Sequence, residues 1–228
     1  MVRFRVAAVL VVLAAALLPA LPAAASGVPT GPVPAAAGPS VAGGDSLYGS
    51  GGRCTLAFNV SGRGILTGYC GPVGTAWYIG TSTLVGTVSW VASDNTAGLI
   101  TITNPLVAQV PGLRGPAGTL PITNAARATV GRAVQKLSPI TGLRSGTVTA
   151  VNATVYYAGG VIYGLDRTTL CPSAGEAGAP IFAGSTALSV TTGGSGNCSV
   201  GGTTYGRPVV PILQGLGLSI FAPAVPAP

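Results

Sequence analysis

The chain has 228 residues and contains no histidine. Histidine is the side chain that most often acts as a general base near neutral pH, and it is also a common zinc ligand. The four cysteines show no Cys-x-x-Cys spacing, so they do not form a zinc-binding pattern either. We therefore expect neither a metal site nor a bound cofactor.

Charged residues are scarce, at 7% of the chain against a usual share of about a quarter. Eleven basic and four acidic residues give a net charge of +7 at pH 7. The basic residues are scattered and do not alternate with aromatic residues, which argues against a nucleic-acid partner. The 36 glycines favour short strands and tight turns over helices.

The first 25 residues have the pattern of a secretory signal. Two arginines precede an apolar run at 6–18, and a small-x-small site ends at Ala25, after which we expect cleavage. Pro19 and Pro22 interrupt the apolar run before it reaches the ~20 residues that span a bilayer. The sequence therefore predicts a secreted protein with no membrane span after cleavage.

Residues 26–40 and 223–228 are rich in proline and alanine and predict a flexible lead-in and a tail. The region between them, 41–222, shows β-type patterns bounded by turn residues and a possible short helix at 208–216. Such spacing is typical of an all-β sandwich or barrel, with 41–118 and 119–222 as its two halves. The predicted strands lie at 54–60, 63–68, 83–90, 98–103, 132–138, 180–184 and 186–192, with a long hairpin at 145–168.

The four cysteines of an exported chain are expected to form disulfides, and they allow three pairings. Pairing of Cys54 with Cys70 and of Cys171 with Cys198 would close one loop in each half of the chain. Each such bond could stabilise the fold by ~3 kcal/mol through the unfolded state.

Three segments, 41–60, 145–160 and 168–209, resemble the streptogrisins, secreted actinobacterial serine peptidases of the chymotrypsin-like class. The resemblance extends over about 40–222. It implies two six-stranded antiparallel β-barrels with a peptide-binding cleft between them. It also implies the local disulfide pairing described above.

The resemblance places three unusual residues at the catalytic positions. The family's Gly-Asp-Ser-Gly-Gly-Pro turn corresponds to 175–180, where Ala177 occupies the position of the nucleophilic serine. Tyr69 in "LTGYC" occupies the position of the general base, and Thr96 in "NTAGLI" that of the orienting aspartate. Asp94 lies two residues earlier, and a local gap could bring it closer.

These substitutions predict a protein without serine-peptidase activity. A serine becomes a strong nucleophile only when an oriented base removes its proton. Tyrosine, with a pKa of ~10, makes a poor base at neutral pH. Relocated chemistry is an alternative, and Lys136 and Ser138 could face the same side of a strand as a dyad. The sequence does not indicate a catalytic pair of carboxylates either, because no two of the acidic residues are close in sequence.

The resemblance implies that elements able to bind a peptide are retained. The resemblance assigns an oxyanion hole to the backbone N–H groups of Gly175 and Ala177. It also assigns the strand that pairs with a bound peptide to Thr192, Gly193 and Gly194, and a wall of the specificity pocket to 194–198.

Glu176 replaces an aspartate that the family buries in an ion pair. We expect its partner to be Lys136 or Arg132.

We therefore expect a monomeric, secreted pseudopeptidase that binds a peptide, a protein or a peptidase inhibitor in the former cleft. Two alternatives stay open: an enzyme with relocated chemistry, and a structural or envelope-associated protein that uses the fold as a scaffold.

Overall fold

The structure, a computed structural model, describes residues 38–50, 52–157 and 159–222. The predicted signal, most of the lead-in and the tail lie outside the described residues. The first strands are β1 (Ser40–Gly43), β2 (Ser46–Gly49), β3 (Gly52–Val60), β4 (Gly64–Thr67), β5 (Ala76–Ile79), β6 (Thr83–Val91), β7 (Gly98–Ile102), β8 (Ala108–Gly115), β9 (Gly118–Leu120) and β10 (Asn124–Ala125). They are followed by β11 (Ala133–Ser138), β12 (Gly142–Tyr157), β13 (Gly160–Thr168), β14 (Pro180–Ala183), β15 (Thr186–Asn197), β16 (Gly201–Pro208) and the helix α1 (Val209–Leu216).

Six strands form a first closed barrel in the order β2-β3-β4-β7-β6-β5. The β3–β4 hairpin, predicted from the sequence, pairs Val60 with Gly64 across its turn. Apolar side chains on the inward faces fill the barrel and are buried, among them Leu47, Leu56, Ile65, Trp77, Val85 and Ile100. Closure leaves this barrel without an unpaired edge strand.

A second ring joins β11, β12, β13, β16, β15 and β14. The long strand β15 closes it, because its first part pairs with β14 and its later part pairs with β16. The predicted hairpin is confirmed as β12 and β13, which pair from Val148 and Thr168 to Tyr157 and Gly160. The two rings confirm the predicted all-β, double-barrel fold.

A separate apolar cluster packs the two barrels against each other. Phe58, Val60 and Leu66 contribute from the first barrel, and Phe182 and Val190 from the second. Helix α1 adds three buried residues at the spacing of one helical face, Val209, Ile212 and Leu213. Burial of each large side chain stabilises the fold by ~1.5–3 kcal/mol, so the relative position of the barrels is firmly held.

The two disulfides join Cys54 to Cys70 and Cys171 to Cys198, which confirms the predicted local pairing. The first ties β3 to the segment after β4, and the second ties the segment after β13 to the segment after β15.

In the part of the chain that the structure describes, no helix has the length and apolar character needed to cross a membrane.

The second barrel also buries a carboxylic acid. Asp166 on β13 is only 3% exposed and accepts a hydrogen bond from the Ser189 hydroxyl on β15. Burial raises the pKa of Asp166, and the bond from Ser189 and the charges of Arg127 and Arg207 offset only part of that effect. The fold therefore disfavours the ionised form of this carboxyl group.

Asp166→Asn should stabilise the protein at neutral pH. Because the pKa of Asp166 is raised in the folded state, its contribution to the free energy of unfolding is fully present below its unfolded pKa. That contribution is lost as the pH rises through its folded pKa. We expect Tm at pH 7 to rise by roughly 2–4 °C, equivalent to about 1 kcal/mol in a domain of this size. Calorimetry at pH 7 and pH 3 tests this, because the gain should disappear at pH 3. A lower Tm for the variant at pH 7 would contradict the assignment.

Candidate functional site

The turn between Cys171 and β14 is locked by backbone contacts. Gly178 has φ +94°, and a β-carbon at this position would lie 2.3 Å from the Thr55 carbonyl oxygen of β3. Its N–H donates to the Thr191 carbonyl at 2.8 Å, and the Thr191 N–H donates to the Ala179 carbonyl at 2.9 Å. The turn is thus held between β3 and β15, and only glycine fits at residue 178.

Ala177, at the predicted nucleophile position, is exposed beside this turn. The segment that carries Tyr69 lies against it, since a β-carbon on Gly68 would lie 3.1 Å from the Ala177 carbonyl carbon. Tyr69 is 46% exposed and lines a pocket of about 520 Å³ with Arg53, Thr75 and Trp77, among others. Tyr69 does not line the pocket that contains Ala177.

Thr96, at the predicted position of the orienting acid, is 3% exposed in the turn between β6 and β7. Its hydroxyl donates to Asp94 Oδ1 at 2.6 Å and accepts a hydrogen bond from Arg207 Nε at 2.7 Å. The Arg207 guanidinium also forms an ion pair with the Asp94 carboxylate. The Asp94 carboxylate is therefore bound by both Thr96 and Arg207. Within the described residues no hydrogen bond links Tyr69, Thr96 and Ala177.

Glu176 forms a buried ion pair with Lys136, one of its two predicted partners. The Lys136 Nζ lies 2.5 Å from Glu176 Oε2 and also donates to the Cys171 carbonyl at 2.7 Å. Glu176 further accepts hydrogen bonds from the Thr141 hydroxyl and, at 2.9 Å, from the Ser173 N–H. Burial alone would raise the pKa of Glu176, but the hydrogen bonds and the charge of Lys136 outweigh it and lower that pKa.

The alternative of a Lys136–Ser138 dyad is not supported by this geometry. Both side chains are buried, and the Lys136 ammonium is engaged by Glu176. The Ser138 hydroxyl oxygen accepts a hydrogen bond from the Ile140 N–H at 3.0 Å. Neither a free lysine amine nor an exposed serine hydroxyl is therefore present for such a dyad.

A pocket of about 500 Å³ brings together all of the predicted binding residues, Gly175, Ala177, Thr192, Gly193 and Gly194. Other walls come from Pro172, Ala174 and Asn197. The N–H groups of Gly175 and Ala177 find no hydrogen-bond acceptor within the described residues. No charged group is free in the walls, because the carboxylate of Glu176 is turned toward Lys136.

The β15 strand beside this pocket has an open edge. On one side, Gly193 and Gly194 pair with Tyr205 and Thr204 of β16. On the other side, pairing with β14 ends at Val190, and the described chain places no strand beyond Thr191. This edge can accept an extended peptide as an additional antiparallel strand.

Two arginines at the site were missed by the sequence analysis. Arg207 contacts Thr96 and Asp94 across a separation of more than 100 residues. Arg53 lies beside the turn, where a β-carbon on Gly175 would be 3.2 Å from a guanidinium nitrogen. No local sequence pattern marks either residue, because both contacts arise only when distant segments of the chain fold together.

Glu176→Gln should destabilise the protein by about 3–5 kcal/mol at pH 7, because it leaves the Lys136 charge buried without a counter-charge. A lowered pKa means that this stabilisation is present above the unfolded pKa of Glu176 and is lost as the pH falls through the folded pKa. Denaturant unfolding at pH 7 and at progressively lower pH should therefore show a shrinking difference from wild type.

Asp45→Asn, which breaks the partly exposed Arg114–Asp45 pair, is the matched control and should cost less than ~1 kcal/mol. The double variant Lys136→Met/Glu176→Gln should recover much of the lost free energy of unfolding. Equal losses of unfolding free energy for Glu176→Gln and Asp45→Asn would contradict a structural role for the buried pair.

Comparison with known proteins connects this geometry to a family, although no family model matches the chain. The chain is 42% identical over 188 residues to streptogrisin-A of Streptomyces griseus, covering 80% of this chain and 62% of that protein. It is 42% identical over 174 residues to serine protease 2 of Streptomyces fradiae, covering 72% of this chain and all of that protein. The match thus spans less than two thirds of streptogrisin-A but the whole of serine protease 2.

The solved structures agree with the sequence comparison. The chymotrypsin of Cellulomonas bogoriensis superposes with a TM-score of 0.74 at 35% identity, covering 81% of this chain and all of that protein. Two β-barrels, two local disulfides and these similarities together show that the chain belongs to the streptogrisin-like family of chymotrypsin-fold serine proteases.

Proposed function

We propose that this family member is a secreted pseudopeptidase that does not cleave peptides but binds them in the former substrate cleft. The observation that carries the proposal is Ala177. Its methyl group stands at the nucleophile position of a turn whose backbone is otherwise held in place by Gly178, Thr191 and the Lys136–Glu176 pair.

The proposal that the protein does not cleave peptides is supported by the absence of a usable nucleophile and base at these positions. Ala177 offers no hydroxyl group to attack a carbonyl, and the chain contains no histidine to activate water or serine. Tyr69 occupies the position that the resemblance assigns to the base, and no hydrogen bond links it to Ala177 or Thr96 within the described residues. Thr96 is committed to Asp94 and Arg207 and orients no base.

The proposal that the protein binds peptides is supported by the open edge of β15 and the adjacent pocket. A peptide can pair its main chain with Thr192–Gly194 and place one side chain in the pocket beside Ala177. Neither contact requires a catalytic side chain. Because the pocket exposes no charged group, we expect it to accept an apolar side chain.

Export from the cell is part of the proposal. The predicted signal at 1–25 supports it, and both disulfides fit an oxidising compartment outside the cytoplasm.

The purified protein should not cleave casein or peptide substrates. Peptidase activity that co-purifies with wild type and is lost on mutation of one of its own residues would contradict the proposal.

A variant that restores the three positions, Tyr69→His/Thr96→Asp/Ala177→Ser, should gain measurable cleavage. The structure adds a requirement, because an aspartate at residue 96 would face the Asp94 carboxylate. Asp94→Asn should therefore be combined with the three changes, and the fourfold variant should exceed the threefold variant in kcat/KM.

Binding in the cleft can be measured with a standard-mechanism peptidase inhibitor that presents an apolar side chain to the pocket. We expect a complex with Kd in the micromolar range or tighter by calorimetry. Ala177→Trp fills the junction of the pocket and the turn and should weaken binding at least tenfold. Val130→Trp, at an exposed position that lines neither pocket, is the matched control and should bind like wild type. No complex at several hundred micromolar would contradict inhibitor binding.

A further inference from the structure

We propose that the cleft recognises the free C-terminus of a peptide or protein. The terminal carboxylate would lie against the N–H groups of Gly175 and Ala177 and beside the Arg53 guanidinium. The last side chain would occupy the pocket next to Gly193. This inference rests on the proposed function, since it specifies which kind of peptide the former substrate cleft binds.

The first observation is the distribution of charge. The chain has only four acidic residues, and all lie in the described part of the structure. Asp45 pairs with Arg114, Asp94 with Arg207 and Glu176 with Lys136, while Asp166 is buried beside Ser189. Each carboxylate is thus engaged elsewhere in the fold.

Arg53 is exposed beside the turn at Gly175 and makes no hydrogen bond or ion pair with any described residue. Its guanidinium lies next to Gly175, 3.2 Å from the position that a β-carbon there would take. It also lines the pocket that contains Tyr69. Every described acid is engaged elsewhere, so the exposed guanidinium of Arg53 is free to pair with an anionic group of a ligand.

The second observation is the pair of free backbone donors. Gly175 has φ +81°, and the N–H groups of Gly175 and Ala177 have no acceptor within the described residues. The Glu176 N–H between them donates to the Ser173 carbonyl at 3.4 Å, so Gly175 and Ala177 supply the two free backbone donors of this turn, and free backbone N–H groups favour anions. A carboxylate provides two charged oxygen acceptors, and charge-assisted hydrogen bonds are roughly twice as strong as neutral ones.

The methyl group of Ala177 favours a carboxylate over an internal peptide carbonyl. A serine in this place would direct a hydroxyl oxygen at the bound carbonyl carbon, whereas alanine leaves that space open for a second carboxylate oxygen. An internal peptide bond would instead continue past Arg53 without neutralising its charge. The site therefore suits a chain that ends at the turn.

The pocket and the strand define the rest of the ligand. The walls formed by Pro172, Ala174 and the glycines of β15 carry no free charge and suit an apolar last residue. The residues before it can pair as an extended strand with the open edge at Thr192–Gly194. The predicted ligand is an extended C-terminal segment that ends in an apolar residue with a free carboxylate.

The test uses fluorescently labelled hexapeptides that differ only in the last residue, which is Ala, Val, Leu, Phe or Tyr. Each peptide is made with a free C-terminal carboxylate and with a C-terminal amide, and anisotropy measures its binding to the protein. We expect the best carboxylate peptide to bind at least tenfold more tightly than its amide. Arg53→Gln should reduce this preference to less than threefold and leave binding of the amide unchanged.

Arg144→Gln is the matched control, because Arg144 is exposed on β12 and lines neither pocket, and it should keep the full preference. Equal affinity for carboxylate and amide peptides would overturn this inference and leave peptide binding in the cleft intact. If no peptide of either kind binds to protein with an unchanged Tm, both this inference and peptide binding fail. Competition by inorganic phosphate at the same concentration as the peptide would also overturn it, since the site would then select anions in general.

Discussion

The ion pair between Lys136 and Glu176 holds the part of the fold on which the cleft depends. Removing two charges from water costs several kcal/mol for each ion, and the pair repays this only because its other hydrogen-bonding groups are satisfied. The Cys171 carbonyl, the Thr141 hydroxyl and the Ser173 N–H provide those partners. The pair thereby fastens the turn before β14 to β11, and that turn sets the directions of the Gly175 and Ala177 N–H groups and the shape of the pocket.

In the proposed function, the contacts that would position a peptide and those that would cleave it depend on different parts of the chain. Positioning depends on backbone geometry, such as the close approach of Gly178 to Thr55 and of Gly68 to Ala177, which the packing of the barrels itself requires. Cleavage in this family depends on side chains at three positions, where this chain has the exposed residues Tyr69 and Ala177 and the buried Thr96. In the proposed pseudopeptidase, substitution at these positions removes the side chains needed for cleavage and leaves the backbone frame in place. The Asp94–Thr96–Arg207 cluster adds a contact between the two barrels at one of these positions.

Local sequence patterns predicted several features of the fold. The β3–β4 and β12–β13 hairpins, helix α1 and the disulfides follow from alternation, turn residues and cysteine spacing. The short strands β1, β2, β5, β9 and β10 were missed because two to four residues carry too little periodic signal. The eight-residue strands β8 and β16 were missed because glycine and proline interrupt their sequence pattern. The contacts of Arg207 with Asp94 and of Arg53 with the Gly175 turn join segments more than 100 residues apart, so no local pattern could indicate them. The partner of Glu176 was narrowed to two candidates, and the register of β11 places Lys136 against it.

The scarcity of acidic residues links composition to the chemistry of the cleft. A net charge of +7 alone gives no selectivity, since exposed charges are screened beyond about 8 Å at physiological salt. Selectivity requires a local charge that the fold does not neutralise. Three of the four acids are used in ion pairs and the fourth is buried with a raised pKa, so the described chain has no counter-charge left for Arg53. A protein so poor in acids therefore leaves a positive group beside the turn at Gly175, and in the proposed recognition of a chain end this group would pair with the terminal carboxylate.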